Sequence, residues 1–119
     1  MSSTETDATI PTLMRVWRRD RDDRPHYLEQ TAGEGAPRRV TLFKEEHVIG
    51  RGDEADIPIA SQRASRQHAV MARKGLDYVL RDNNSRNGVF LNGLRVHTVV
   101  LREGDVVQIG DCAFTYREG

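Results

Sequence analysis

The chain has 119 residues, and its 18 lysine or arginine residues balance 18 aspartate or glutamate residues, which gives a formal net charge of zero. A chain of this length suits one domain with a modest hydrophobic core. The balanced charge argues against broad electrostatic binding to nucleic acid or to an anionic membrane, and no apolar run approaches the roughly 20 residues of a membrane-spanning helix.

The N-terminal sequence and the cysteine content bear on the compartment. MSSTETDATIPT has neither a basic region nor an apolar region, so it does not predict a secretory signal. Cys112 is the only cysteine, which excludes an internal disulfide and a cysteine-rich zinc site. We expect a cytoplasmic protein in which Cys112 is a small buried apolar residue.

The first 24 residues differ in composition from the rest of the chain. They begin with the polar, threonine-rich MSSTETDATIPT, and the mixed-charge RVWRRDRDDRP follows. Leu13, Val16 and Trp17 have helix-like spacing, but the segment is too short and too charged to predict a stable helix. We therefore predict a flexible polar and charged tail over residues 1–24 and one domain over residues 25–119.

From His26 onward, short runs rich in β-branched, leucine and aromatic residues alternate with turn residues. In chain order these runs are HYLEQT, RVTLF, HVIGR, DIPI, HAVMAR, DYVLRD, GVFLN, TVVL, DVVQIG and AFTYRE. None of them carries the long apolar stripe at 3.6-residue spacing that indicates a helix. Many short strands with turns about every 8 to 12 residues predict an all-β antiparallel sandwich or barrel.

Two asparagine-glycine pairs mark turns, because both central residues of a type I′ hairpin need a positive φ. Asn92-Gly93 stands between VFL and LRV and predicts the tip of a hairpin. Asn87-Gly88 ends the polar stretch RDNNSRNG, which is longer than a hairpin needs. Extra loop length on a rigid β scaffold is where binding residues commonly lie, so this stretch is a candidate binding loop.

Hydrogen-bond donors concentrate in three separate segments. Guanidinium groups form a fixed fork that suits a phosphate, and serine and asparagine add neutral donors. Few carboxylates in these segments would repel a dianion. The segments therefore predict an anion site, and its candidate donors are Arg51 after Gly50, then Ser61, Arg63, Ser65, Arg66 and His68, and then Ser85, Arg86 and Asn87.

An enzyme is the weaker interpretation of the same residues. Ser65 and His68 would act as nucleophile and base only with an orienting carboxylate and an oxyanion hole. A histidine at the start of a strand more commonly has a structural, hydrogen-bonded role. The stretch NNSRNG lacks the acidic ligands of a calcium loop, so we expect no catalysis, no metal and no cofactor.

The order and spacing of three motifs resemble the forkhead-associated (FHA) domain family. The motifs are IGR, then SRQHA about fourteen residues on, then NNSRNGVFLNG about twenty residues beyond that. The later REGDVVQIG also resembles the penultimate strand of the family, and the resemblance extends from about residue 26 to residue 118. It implies an all-β, FHA-like sandwich of about eleven mostly antiparallel strands, with loops at one end that bind phosphothreonine peptides.

The resemblance also implies a role for each matching residue. In the family, the arginine of GR and the serine of SRxH hold the phosphate; here they are Arg51 and Ser65, and Arg66 joins them. The asparagine before the first motif glycine, Asn87 here, holds the peptide backbone beyond the phosphothreonine. His68 braces the loops from within. The turn-shaping positions of the family match Gly50, Gly88, Asn92 and Gly93.

Two positions depart from the family pattern. Many members have threonine where this chain has Arg86, and threonine again where it has Val89. Arg86 either adds a charge contact to the phosphate or points to solvent, and we count it with the phosphopeptide-binding residues. Arg63 matches the position that often selects the residue three beyond the phosphothreonine, which favours an acidic residue there.

The tail offers a ligand for such a site. TETD places Asp7 three residues after Thr4, so a phosphorylated Thr4 would match the preference expected from Arg63. Roughly twenty flexible residues have ample reach to fold back or to engage a neighbouring molecule. Thr4 is therefore a candidate phosphorylation site through which the chain would regulate itself.

These observations predict a phosphothreonine-binding interaction module in Ser/Thr kinase signalling. Its partners would be a protein or peptide that carries phosphothreonine, and a Ser/Thr kinase or the substrates of that kinase. The alternative is a phosphorylation-independent interaction module of the same fold. Proteins that bind in that way usually lose the arginine or the serine of the end loops, whereas Arg51, Ser65 and Asn87 are all present here.

Overall fold

The computed structural model describes residues 24–119, which contain eleven β-strands and no helix. The predicted all-β architecture is therefore confirmed for this part of the chain. In chain order the strands are β1 (Tyr27–Ala32), β2 (Arg38–Thr41), β3 (Glu46–Gly50), β4 (Ile57–Pro58), β5 (Ala69–Lys74), β6 (Asp77–Asp82), β7 (Val89–Leu91), β8 (Leu94–Val96), β9 (Thr98–Val100), β10 (Val106–Ile109) and β11 (Cys112–Arg117).

The predicted N-terminal tail lies outside the described residues, apart from Arg24. The candidate phosphorylation site Thr4 lies outside them as well. The boundary between tail and domain and the modification of Thr4 both stay predictions.

The strands form two sheets that enclose one core. One sheet has five strands in the order β9-β6-β5-β3-β4, and the other has six in the order β2-β1-β11-β10-β7-β8. Neighbouring strands are antiparallel except for the short pair β3 and β4, which is parallel. Along most strands buried and exposed residues alternate, as expected for sheets with one face on the core and one on solvent.

The core lies between the two sheets and is almost entirely apolar. Its largest fully buried side chains include Phe114 and Tyr116 from the six-stranded sheet and Met71 and Leu80 from the five-stranded sheet. Cys112 is fully buried in the same core, as expected, and burial raises the pKa of its thiol. The core therefore joins both sheets into one unit that holds the strand ends in place.

The two asparagine-glycine pairs form different structures. Asn92 and Gly93 have φ values of 50° and 87° and connect β7 to β8 in a two-residue hairpin, as predicted. Gly88 also has a positive φ of 87°, but Asn87 does not share this feature. The segment that ends in Asn87-Gly88 leads from β6 in one sheet to β7 in the other, so it crosses between sheets instead of closing a hairpin.

The strand directions place the connecting segments at two ends of the sandwich. Arg51 and the segments 59–68, 83–88 and 110–111 lie together at one end, which we call the loop end. The first described residue, Arg24, lies against Gly119 at the other end, which we call the terminal end. All the candidate anion-binding residues from the sequence fall at the loop end.

Candidate functional site

The segment after β3 brings Arg51 against the β4–β5 loop. Gly50 is buried, and a β-carbon added there would lie 1.8 Å from the carbonyl oxygen of Arg66, so only glycine fits. The backbone N–H of Arg51 donates to the carbonyl of Ser65 at 3.0 Å, and its side-chain Nε donates to the carbonyl of Ala64 at 3.0 Å. The stem of Arg51 is thereby fixed, while its two terminal nitrogens remain available for a ligand.

His68 is fully buried and connects two loops through its imidazole ring. Its Nδ1 accepts the backbone N–H of Ser65 at 2.9 Å. Its Nε2 lies 2.8 Å from the carbonyl oxygen of Gly88 and therefore carries the proton and donates it. The neutral ring is held in one tautomer, and it fixes the distance between the β4–β5 loop and the β6–β7 loop.

The β6–β7 loop is shaped by its own polar side chains. The carboxylate of Asp82 accepts the N–H of Ser85 at 3.1 Å, and the hydroxyl of Ser85 accepts the N–H of Gly88 at 2.9 Å. Asn84 has a positive φ of 57°, which asparagine tolerates better than most residues. These contacts build a compact turn that presents Arg86 and Asn87 outward.

Two further contacts join the β6–β7 loop to the β4–β5 loop. The hydroxyl oxygen of Ser65 accepts the N–H of Arg86 at 3.3 Å. The amide of Asn87 donates to the carbonyl of Arg63 at 2.7 Å. The predicted residues from the two loops are thus brought together, with Ser65 half-buried between the exposed side chains of Arg66 and Arg86.

Several exposed arginines lie on the same loops as Ser65. The side chains of Arg63, Arg66 and Arg86 are exposed, and within residues 24–119 none of them forms an ion pair with a carboxylate. Asp53 and Glu54 lie nearby, where they line a surface depression of about 310 Å³ together with Arg51, Gly52, Arg66 and Gln67. The loop end therefore presents several cations whose charge no described carboxylate neutralises by direct pairing.

A third connection at the loop end involves Asp111, which the sequence analysis did not single out. The buried hydroxyl of Ser61 donates to the carboxylate of Asp111 at 3.0 Å and accepts the N–H of Asp111 at 3.1 Å. The same oxygen accepts the N–H of Arg63 at 3.2 Å. Ser61 and Asp111 thus tie the β4–β5 loop to the β10–β11 turn, fifty residues further along the chain.

Arg95 also lies at this end and was missed from the sequence. A β-carbon added at Gly88 would lie 2.6 Å from Nε of Arg95, so the guanidinium covers the residue that follows Asn87. The signal was present in the hairpin, because a two-residue turn at Asn92-Gly93 pairs Phe90 with Arg95. The pairing does not indicate that the side chain of Arg95 lies over Gly88.

The remaining turn residues of the family pattern lie away from the loop end. The side chain of Asn92 accepts the N–H of Val106 at 2.9 Å and donates to the carboxylate of Asp105 at 3.1 Å. Gly93 has a φ of 87° in the same turn. These contacts anchor the β7–β8 hairpin to β10 and do not contribute to a binding surface beside Ser65.

The geometry does not provide the parts of a serine nucleophile. Both ring nitrogens of His68 are bonded to backbone groups, so neither is free to take a proton from the hydroxyl of Ser65. Among residues 24–119, no group of three or more His, Cys, Asp or Glu side chains is arranged to hold a metal ion. The loop end instead offers hydrogen-bond donors for an anion. Separately, residues 24–119 include no helix that is long and apolar enough to cross a bilayer.

Comparison with known proteins relates this arrangement to an existing family. The family model for the FHA domain matches residues 47–110, which span β3 to the end of β10 and include every loop-end residue named above except Asp111. The matched segment covers more than half of the chain. It begins at His47, three residues before the Gly50-Arg51 pair.

Several mycobacterial proteins are similar to this chain in sequence. The ABC transporter ATP-binding/permease protein Rv1747 of Mycobacterium tuberculosis is 42% identical over 71 residues, which are 60% of this chain and 8% of the transporter. The FHA domain-containing protein FhaB of the same species is 32% identical over 100 residues, which are 83% of this chain and 64% of FhaB. The chain therefore spans only part of the length of both relatives.

A solved structure agrees with the sequence comparison. It comes from a structural and functional study of phosphothreonine-dependent FHA domain interactions. It superposes with a TM-score of 0.73 at 29% sequence identity, over 79% of this chain and 96% of the other. The likeness covers the two-sheet fold that carries the loop end.

Proposed function

The chain belongs to the FHA domain family, and on this premise we propose that it binds proteins or peptides that carry phosphothreonine. The observation that supports the proposal is the set of exposed arginines on the loops that carry Ser65, which have no ion pair among the described residues, while the loop backbones are hydrogen-bonded to one another. The structural relative whose interactions are phosphothreonine-dependent supports it independently. Within this proposal the module acts in Ser/Thr kinase signalling and turns over no substrate.

The phosphate would bind between the two central loops. A phosphothreonine carries about −1.5 to −2 charges near pH 7 and has three strong acceptor oxygens. Arg51 offers two terminal nitrogens on a fixed stem, Ser65 offers its hydroxyl, and Arg66 and Arg86 offer free guanidinium groups. The hydroxyl of Ser65 already accepts the N–H of Arg86, so its own proton is directed elsewhere and can be donated to the phosphate.

The backbone of the ligand would be held beside the phosphate. Asn87 uses its amide nitrogen on the carbonyl of Arg63, which leaves its side-chain oxygen to accept an N–H from an extended peptide. Each charge-assisted hydrogen bond contributes about 1.5–3 kcal/mol net. Three or four such bonds, less the cost of ordering the peptide, correspond to a dissociation constant between about 1 μM and 1 mM.

Arg63 would set a preference downstream of the phosphothreonine. It lines a surface depression of about 410 Å³ together with Asn87, Phe90, Gln108 and Gly110. An exposed guanidinium at the wall of this depression favours a carboxylate, in agreement with the acidic residue expected three positions beyond the phosphothreonine. Phosphorylated Thr4, with Asp7 three residues later, would fit this preference, so the tail of the chain is one proposed ligand.

Titration of matched synthetic peptides tests the proposal. The first probe is residues 1–12 of this chain phosphorylated at Thr4, and an oriented library of phosphothreonine peptides supplies the second. Arg51→Ala and Ser65→Ala should each weaken binding of the best phosphopeptide by at least about tenfold, and Arg86→Ala by about tenfold, because each removes a charged or phosphate-directed hydrogen bond. Arg117→Ala, at the terminal end, is the matched control and should leave affinity unchanged.

The same titration separates the proposal from its alternatives. Unphosphorylated peptides and peptides with aspartate in place of phosphothreonine should not bind, because neither has the charge or the three-oxygen geometry. Equal binding with and without the phosphate would favour the phosphorylation-independent module. Folded Arg51→Ala and Ser65→Ala variants that bind phosphopeptides as well as the parent chain would overturn the proposed site.

A further inference from the structure

Arg95 contributes a guanidinium to the loop end from a strand that the three loop motifs do not include. It lies on β8, and its Nε lies over Gly88, directly after Asn87 in the chain. Its side chain is exposed and has no ion-pair or hydrogen-bond partner within residues 24–119. An exposed arginine without a charged partner among the described residues can pair with a ligand that passes over Asn87.

A half-buried aromatic ring lies between Arg95 and the depression at Arg63. In the register of the six-stranded sheet, Phe90 pairs with Gln108 on one side and with Arg95 on the other. Val89 is buried, so the next residue, Phe90, points to the outer face of the sheet, and Phe90 lines the depression that Arg63 also lines. The outer face therefore presents Gln108, Phe90 and Arg95 in a row across three strands.

The spacing of the strands sets the length of ligand that this row would hold. Neighbouring strands lie about 4.8 Å apart, so about 10 Å separate Gln108 from Arg95. An extended peptide advances about 3.3 Å per residue, and about three residues would cover that distance. A ligand anchored at Arg51 and Ser65 would first pass Arg63 and would then reach Arg95.

We propose that Phe90, Gln108 and Arg95 bind the part of the ligand that follows the residue at Arg63, and that Arg95 selects a second carboxylate about three residues further on. The inference rests on the proposed phosphothreonine binding. The preferred ligand class is therefore an acidic phosphopeptide with one carboxylate at the Arg63 depression, a residue that packs on the Phe90 ring and a second carboxylate at Arg95. The ring of Phe90 and the guanidinium of Arg95 favour an aliphatic or aromatic side chain next to an acidic one.

A positional scan tests this assignment. The probes are phosphothreonine peptides in which alanine fills the positions after the one at Arg63, except for a single aspartate moved from four to eight residues beyond the phosphothreonine. For the parent chain, one position near six should raise the affinity about threefold over the peptide without that aspartate, as expected for an exposed ion pair. Arg95→Gln should abolish this gain, so that peptides with and without the aspartate bind the variant equally well.

Two further variants separate ligand selection from a purely structural role over Gly88. Arg95→Glu should reverse the preference, so that lysine at the same peptide position binds better than aspartate. Arg39→Gln is the matched control, because Arg39 is exposed on β2 of the same sheet and lies 4.1 Å over the ring of Tyr27, far from β8. Thermal unfolding of each variant verifies that it is folded before it is titrated.

The outcomes are distinct for the two proposals. A gain from aspartate that is lost in Arg95→Gln and inverted in Arg95→Glu supports the inference. The absence of any position-dependent gain, or an equal loss for every peptide in Arg95→Gln, overturns it and leaves phosphothreonine binding intact. Failure of all phosphorylated peptides to bind the parent chain overturns both.

Discussion

Each end of the sandwich contains a buried histidine, His68 in the loop before β5 and His47 on β3, and the two are bonded differently. His68, at the loop end, uses both ring nitrogens in hydrogen bonds of 2.9 Å and 2.8 Å. His47, at the terminal end, accepts two long contacts of 3.4 Å from the N–H groups of Phe43 and Lys44. Its Nδ1 is buried without a partner in the described part of the chain.

The charged residues of the two ends show the opposite contrast. At the terminal end two arginines are paired: Arg102 contacts Asp77 at 3.2 Å, and Arg117 contacts Glu103 at 2.9 Å. The N–H of Glu118 and the guanidinium of Arg117 lower the pKa of the Glu103 carboxyl. At the loop end Arg63, Arg66 and Arg86 have no such carboxylate among residues 24–119.

The difference shows what each end is built to do. The terminal end pairs two of its arginines with carboxylates of the same chain. The loop end joins its loops through backbone hydrogen bonds and leaves several arginines without an ion pair among the described residues. A frame that is rigid without its cations can keep them exposed for a ligand at little cost in reorganisation on binding.

The largest expected effect comes from adding one methyl group at each end. In Gly50→Ala the β-carbon would meet the carbonyl oxygen of Arg66 at 1.8 Å, so the loop backbone must move and stability should fall by about 3 kcal/mol. Gly75, in the β5–β6 turn at the terminal end, has open space around it and a φ of 63°. Gly75→Ala should therefore cost only about 1 kcal/mol of backbone strain.

Urea unfolding measures both glycine variants, and titration with a phosphothreonine peptide measures their binding. Gly50→Ala should also lose affinity, whereas Gly75→Ala should retain it. Equal losses of stability in the two variants would contradict the close approach of Gly50 to the β4–β5 loop.

An intermediate effect is expected from replacing each buried histidine by phenylalanine. His68→Phe leaves the N–H of Ser65 and the carbonyl of Gly88 without their ring partners, which should cost about 2 kcal/mol. His47→Phe loses only long contacts and removes an unsatisfied nitrogen, so its cost should stay below about 1.5 kcal/mol. Chemical unfolding of both variants measures the two losses of unfolding free energy. A loss in His47→Phe as large as that in His68→Phe would contradict the comparison.

The smallest expected effect is a pH dependence that belongs to the terminal end. Burial lowers the pKa of His47, while Asp56 opposes that shift and Lys44 adds to it. Because the unfolded chain takes up the proton at about pH 6.5 and the folded chain resists it, stability should decrease as the pH falls below about 6.5. His47→Phe should flatten this part of the curve of unfolding free energy against pH, and an unchanged slope would exclude His47 as its source.

The strands could be predicted from the sequence because their alternation is local. Each of the ten predicted runs overlaps a strand, and the Asn92-Gly93 turn indicates the additional strand β8. The resemblance to the FHA family, carried by the order of its three motifs, also placed Arg51, Ser65 and Asn87 on loops at one end. The assignment of ligand contacts to these residues remains a proposal.

The contacts that join distant segments could not be read from local patterns. Ser61 and Asp111 are fifty residues apart and belong to segments from different sheets, so nothing in either segment indicates the other. The Phe90–Arg95 pairing follows from the hairpin, but the position of the Arg95 guanidinium over Gly88 depends on side-chain torsions that periodicity does not specify. Asn87-Gly88 resembled a hairpin signal, although its segment crosses between sheets.

The bracing of the loops through main-chain groups has a consequence for how new specificities arise. Because His68 and the backbone N–H of Arg51 hold the frame, the outward side chains of Arg63, Arg86 and Arg95 are not required for its shape. Each of these three side chains can be substituted on its own without a large loss of folding stability. Substitutions of these three exposed side chains alone would therefore change which ligand the domain binds, both in evolution and in protein engineering.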